Sequence, residues 1–194
     1  MTPQQHQEPE APSLTRIQVL VAMGVTAIIL WIIAKICLRF SGIPLMSWRW
    51  HEPDFLFGVG LGLGITLISG LGYKLITPYR QSVDFYLDIV LKPLALPDLI
   101  WLGLLPGLSE ELLFRGVLIP ALGSNHFAII VSSISFGILH LSSPHQWTYV
   151  AWATVVGLIF GYSTLITGNL LVAIVAHITT NLLSSYLWKL ENSH

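Results

Sequence analysis

Long apolar runs almost free of charge decide what this chain can fold into. The run 17–38 carries a single charged residue, Lys35. A helix rises 1.5 Å per residue, so about 20 apolar residues cross the hydrocarbon layer of a bilayer. Further runs cover 55–76, 97–122, 125–141, 147–166 and 170–188. They are continuous rather than alternating with a period of two, which points to helices and not to barrel strands. The pattern predicts an all-α, polytopic transmembrane helix bundle of about six spans. Composition agrees. Of 194 residues, 54% are hydrophobic and 10% charged, against about 25% charged in a soluble domain.

The remaining segments read as tails and loops. Residues 1–15 are polar and Pro-rich without apolar periodicity, which predicts a disordered tail. They lack the basic start and small-residue cleavage pattern of a signal peptide. Residues 16–96 hold two accessory spans, a Trp-bearing loop at 41–54 and a mixed stretch at 77–96 read as a loop with a short interfacial helix. Residues 97–188 form a four-helix core, and 189–194 a polar tail. In the second span, Gly60-x-x-x-Gly64 has the spacing that lets helices approach closely. Pro106-Gly107 predicts a kink or break, with Ser109 capping the helix that follows. A net charge of −1 offers no surface for nucleic acid, and the single Cys37 excludes a disulfide framework or a cysteine-rich metal site. Lys and Arg flank the first two loops about equally, so charge does not set orientation. Oligomeric state is not readable.

Charges inside such runs are expensive and need a reason. Glu110, Glu111 and Arg115 fall in one run, His140 at the end of another, and His177 with Asn181 in the last. Glu111 and Arg115 are four apart with the acid first, the favoured order for an ion pair on one helix face. That pairing lets both be buried and leaves Glu110 over, about 100° around the helix. Desolvation disfavours the charged form of such a carboxylate, which suits a proton-accepting base near neutral pH. Phe136 and His140 share a face, as do His177 and Asn181. Each alone reads blandly, as an interface residue or as polar glue between helices. Together they bring acid–base and hydrogen-bond-donor groups from three helices.

The ordered set Glu110-Glu111-x-x-x-Arg115, Phe136-x-x-x-His140 and His177-x-x-x-Asn181 resembles the CAAX prenyl protease and bacteriocin-processing family of intramembrane endopeptidases, also called the Abi family. Phe114-Arg115-Gly116 and Thr167-Gly168-Asn169-Leu170 agree with it, and the resemblance covers about 97–188. It implies a membrane-embedded hydrolase, with the active site between the C-terminal helices, that cuts a peptide bond of a protein or peptide in or at the membrane. By this resemblance Glu110 and His140 activate a water. His177 and Asn181 stabilise the oxyanion, Arg115 positions Glu111, and Glu111 supports the site.

No cofactor is favoured. Zinc is the metal such residues can bind, and a site would draw on Glu110, His140 and His177. That set would use up the base, and the chain has no His-Glu-x-x-His. Two other readings compete. One is a non-catalytic immunity or scaffold protein of the same fold, for which a complete motif set is not needed. The other is a proton-coupled transporter, which predicts paired broken helices where only one candidate exists. The expected location is a multi-pass integral membrane protein, the membrane unspecified.

Overall fold

A computed structural model describes residues 14–141, 143 and 146–192. All regular structure among them is helical: α1 (Arg16–Ser41), α2 (Glu52–Leu75), α3 (Thr77–Val90), α4 (Leu99–Glu111), α5 (Ile119–Ala121), α6 (His126–Ile138), α7 (Trp147–Thr167) and α8 (Leu171–Glu191). A 3-10 turn, Leu96–Asp98, leads into α4, and a π-helical stretch, Leu112–Leu118, joins α4 to α5. Helices α1, α2, α7 and α8 are each long and apolar enough to cross a membrane. The outward side of α1 is apolar, with Ile17, Val21, Ile28, Ile32 and Ile36 all exposed. This is an integral membrane helix bundle.

The helix starts follow local chemistry. Thr15 accepts from the Gln18 N–H, and the Gln18 side chain accepts from the Thr15 N–H, a reciprocal cap for α1. The tail expected over 1–15 lies, apart from Leu14 and Thr15, outside the described residues. Arg16 forms a two-bonded pair with Asp98, 2.7 and 2.8 Å, which ties the start of α1 to the start of α4. The stretch 77–96 is more regular than expected, since α3 runs over fourteen residues.

Helix directions follow from which residues meet. Gly58 and Gly62 of α2 pack on α8 at Val172 and Ala176, so these two helices run parallel. Gly103 and Gly107 of α4 meet Leu182 and Ile178, so α4 runs antiparallel to α8. Gly161, Gly157 and Gly137 set α6 antiparallel to α7, with Ile129, Ser133 and Thr154 as neighbours. The close-approach pair in α2 is therefore Gly58 and Gly62. A Cβ at either would lie 2.8 or 2.7 Å from an α8 carbonyl, whereas Gly60 and Gly64 face open space. The expected Gly60–Gly64 seam is one residue pair out of register, because two adjacent glycine pairs share the spacing and only helix rotation chooses between them.

Of the kink or break expected at Pro106-Gly107, the break does not occur. α4 continues through Pro106, and Ser109 is no cap: its hydroxyl donates back to the Leu105 carbonyl at 2.7 Å. The irregular segment is the π stretch just after the Glu pair. The turn Thr167-Gly168-Asn169 forms as expected, with Gly168 at φ +60°, a conformation that favours glycine. A strap at 42–51 crosses this end of the bundle. It is held by Met46 N–H to Gly116 O and Leu170 N–H to Ser47 O, both 2.9 Å. Buried Asn169 completes the clamp, its Nδ2 donating to Arg49 O and to the Asp54 carboxylate.

Candidate active site

The deepest charges come from one helical run. Glu111 ends α4, and Arg115 sits one turn later in the π stretch, both at 0% exposure. Arg115 Nη1 donates to Glu111 Oε1 at 2.9 Å, and Nη2 to the Gly157 carbonyl at 3.0 Å. Gly157 matters here, because a Cβ would lie 3.1 Å from Arg115 Nη2. The guanidinium also lies over the Phe136 ring at 4.4 Å and the Phe160 ring at 5.4 Å. Such faces stabilise a desolvated cation.

The carboxylate has a second partner. His177 Nδ1 stands 2.8 Å from the same Glu111 Oε1. The carboxylate oxygen accepts, so Nδ1 carries the proton there. Phe160 stacks on the imidazole at 5.4 Å, and Phe136 meets it edge-on at 5.9 Å. Glu111, Arg115 and His177 thus form one buried cluster. The sequence offered Glu111 and Arg115 as a self-contained pair. The link to His177, sixty-six positions away, carries no local signal.

Phe136 continues the cluster toward His140. Its ring lies 4.8 Å from the His140 ring, and its carbonyl accepts from His140 Nδ1 at 2.9 Å. A carbonyl can only accept, so His140 is protonated at Nδ1 when neutral, and Nε2 keeps its lone pair. One turn along α8 from His177, Asn181 Nδ2 donates to the Leu102 carbonyl at 3.4 Å. That carbonyl is available because Pro106, four residues on, has no N–H to give it. From sequence Pro106 signals a kink or break, not this acceptor.

Glu110 is not hydrogen-bonded into this cluster. It lines a cavity of about 210 Å³ bounded by α1 (Ala22, Met23, Thr26), by Tyr86 and by Leu102 and Pro106. Its Oε2 is buried without a hydrogen-bond partner. Among the described residues no hydrogen bond joins Glu110 to His140, His177 or Asn181. Nor do three His, Cys, Asp or Glu side chains among them converge to hold a metal ion. The zinc set Glu110, His140 and His177 therefore does not fit as placed. Of the other histidines, His126 meets the Tyr162 hydroxyl in an exposed position and His51 pairs with Asp54. His6, His145 and His194 lie outside the described residues.

Known proteins share this core. Residues 92–183 match the family described as Type II CAAX prenyl endopeptidase Rce1-like. Two Bacillus subtilis (strain 168) relatives are similar. Uncharacterized protein YpbD is 34% identical over 83 residues, 43% of this chain and 41% of the relative. Uncharacterized protein YyaK is 33% identical over 82 residues, 38% of this chain and 27% of the relative. The aligned part thus spans well under half the length of either. No solved structure matches. Glu110, Glu111, Arg115, His140, His177 and Asn181 all fall inside the matched segment, and over residues 92–183 this chain is similar to the type II CAAX prenyl endopeptidase Rce1-like family.

Proposed function

We propose that the chain is an intramembrane endopeptidase that hydrolyses a peptide bond of a membrane-associated protein or peptide, CAAX-type processing included. The observation that carries this reading is Glu110. A carboxylate oxygen without a partner, in a cavity inside an integral membrane protein, has little structural reason to persist. Glu110 and the free Nε2 of His140 take a water between them. The water oxygen attacks the scissile carbonyl carbon while its proton passes to Glu110. The carbonyl oxygen becomes an oxyanion, which His177 Nε2–H and the second Asn181 Nδ2–H stabilise. Collapse breaks the C–N bond, and the leaving amine takes the proton from Glu110.

Glu111 gives His177 its part in this scheme. With Nδ1–H already donated, His177 can donate through Nε2 only as an imidazolium. The buried carboxylate of Glu111 supports that charge, and Arg115 holds the carboxylate in place. The scheme routes no step through a metal, since a ligand set of Glu110, His140 and His177 would use up the base.

The test is comparative proteomics of membrane fractions from cells carrying wild type or Glu110→Gln, followed by cleavage of the species found, with and without chelator. Gln is nearly isosteric, so the variant folds and cleavage falls at least about a hundredfold, the lower range for a general base. Near-wild-type turnover in Glu110→Gln refutes the base assignment. Loss of wild-type cleavage on chelation, restored by zinc, refutes the metal-independent scheme.

A further inference from the structure

α3 lies ahead of the family-matched segment, yet it reaches the site. Its Tyr86 ring stacks on Tyr149 of α7, with centroids 5.1 Å apart and planes 26° apart. Tyr149 in turn meets the His140 ring edge-on at 5.9 Å. Tyr86 also lines the cavity that holds Glu110. An aromatic stack thus runs from the Glu110 cavity to His140, the two residues assigned to the water.

The stack is built into how α3 docks. Thr148, next to Tyr149, donates from its hydroxyl to the Pro78 carbonyl at 3.0 Å. Its one proton is then used, so the 2.6 Å contact with Ser82 has the Ser82 hydroxyl as donor. Tyr79 packs edge-on against Trp152 at 6.2 Å. These contacts fix the register of α3 on the start of α7, and that register puts Tyr86 over Tyr149.

His140 needs such support. It stands two residues past the end of α6, in a turn rather than in a regular helix. Among the described residues one hydrogen bond, Nδ1–H to Phe136 O, restrains its ring. That bond sets which nitrogen is protonated but leaves the ring able to tilt about it. Phe136 covers one side, and Tyr149 supplies the second wall.

We propose that the Tyr86–Tyr149 stack is the positioning element for His140, which makes α3 part of the hydrolytic site. The proposal rests on the assignment of His140 to water activation. It concerns rings, not hydroxyls. Phe therefore replaces either tyrosine, and Leu does not.

The test uses the full chain in lipid nanodiscs, as wild type and as Tyr149→Leu, Tyr149→Phe, Tyr86→Leu and Tyr86→Phe. Cleavage is measured on the substrate found by proteomics. The His140 ring nitrogens are followed by NMR of 15N-histidine-labelled protein, assigned by loss of the signal in His140→Gln. Both Leu variants lose about tenfold in kcat with KM unchanged, a modest case of what misplacing a reacting group costs. Both Phe variants stay within about twofold of wild type. The His140 signal remains Nδ1-protonated and sharp in the Phe variants, and becomes broad or mixed in the Leu variants. Tyr86→Leu, one ring further from His140, decides the matter where Tyr149→Leu does not fold. Wild-type kcat in the Leu variants, an unchanged His140 signal in them, or an equal loss in Phe and Leu variants each overturns the proposal. If wild type cleaves nothing, the peptidase reading fails separately, and the His140 signal alone still decides whether the stack positions the ring.

Discussion

At the scale of single residues, Glu111 is the centre of the site although Glu110 carries the proposed chemistry. One oxygen of Glu111 serves both Arg115 and His177, and all three side chains are buried. Removing one partner of a buried ion pair leaves the other charge without compensation, a loss of about 3–5 kcal/mol. Arg115→Ala also empties the space over Phe136 and frees the Gly157 carbonyl. The variant is expected to melt well below wild type in detergent and to lose cleavage with it. Unchanged thermal stability contradicts the structural role. The Glu111–Arg115 pairing was legible because i, i+4 spacing places both groups on one face whatever the tertiary structure. The His177 contact was not, because it depends on how α4 and α8 are rotated and how far they slide. Pro106 lay between the two cases. Its missing N–H is certain from sequence, but only the packed structure shows that Asn181 takes up the freed Leu102 carbonyl.

At the scale of elements, close approach and terminal tethers set the frame. Gly58 and Gly62 press against the α8 backbone at Val172 and Ala176, carbonyls that cannot rotate away as a side chain can. Gly58→Ala and Gly62→Ala are therefore expected to push α2 off α8 and lower the melting temperature. Gly60→Ala and Gly64→Ala meet nothing within 4 Å and leave it unchanged or slightly raised. Equal effects at the two pairs would contradict the register. The Arg16–Asp98 pair acts at the other end of the bundle. Its hydrogen bonds and charge hold the Asp98 carboxyl below the usual carboxylate range, although burial opposes them. A carboxylate with a depressed folded value adds stability above its unfolded value, about 3.9. That contribution is lost as pH falls through the folded value. In melting experiments Asp98→Asn is expected to lie below wild type at neutral pH, with the gap closing as the pH drops below about 4. A gap independent of pH excludes the ion pair as its source. The helix types themselves were legible from apolar run length. The π stretch was not, since Leu112–Leu118 differs from its neighbours by no composition signal.

At the scale of the whole molecule, the question is how many helices cross. Length and composition single out four, α1, α2, α7 and α8. α6 has 13 residues, about 20 Å of helix at 1.5 Å per residue, short of the roughly 30 Å hydrocarbon layer. Packing nevertheless carries the chain from one end of the bundle to the other and back between Leu99 and Ile138. Asp98 sits beside Arg16 at the start of α1, while Ile119, Ala128 and Ile129 pack with Met46 of the strap and with Leu165 near the end of α7. The turn at Gly123–Asn125 therefore lies at the strap end, and six helical segments traverse the bundle. A short α6 that ends before the far side leaves His140 half-buried in the turn that follows it, and the proposed hydrolysis needs water to reach it there. Both a four-crossing and a six-crossing chain put α3 and the end of α8 on one face, so only the turn near Ser124 tells them apart. In a Cys37→Ser background, single cysteines at Glu52, Asp88, Ser124 and Asn192, all exposed, are to be labelled in sealed vesicles with a membrane-impermeant maleimide. Six crossings place Ser124→Cys with Glu52→Cys on one face and Asp88→Cys with Asn192→Cys on the other. Labelling of Ser124→Cys together with Asn192→Cys would mean that the segment carrying Glu110 and His140 dips into the bilayer and returns, and the site would then open to one face only.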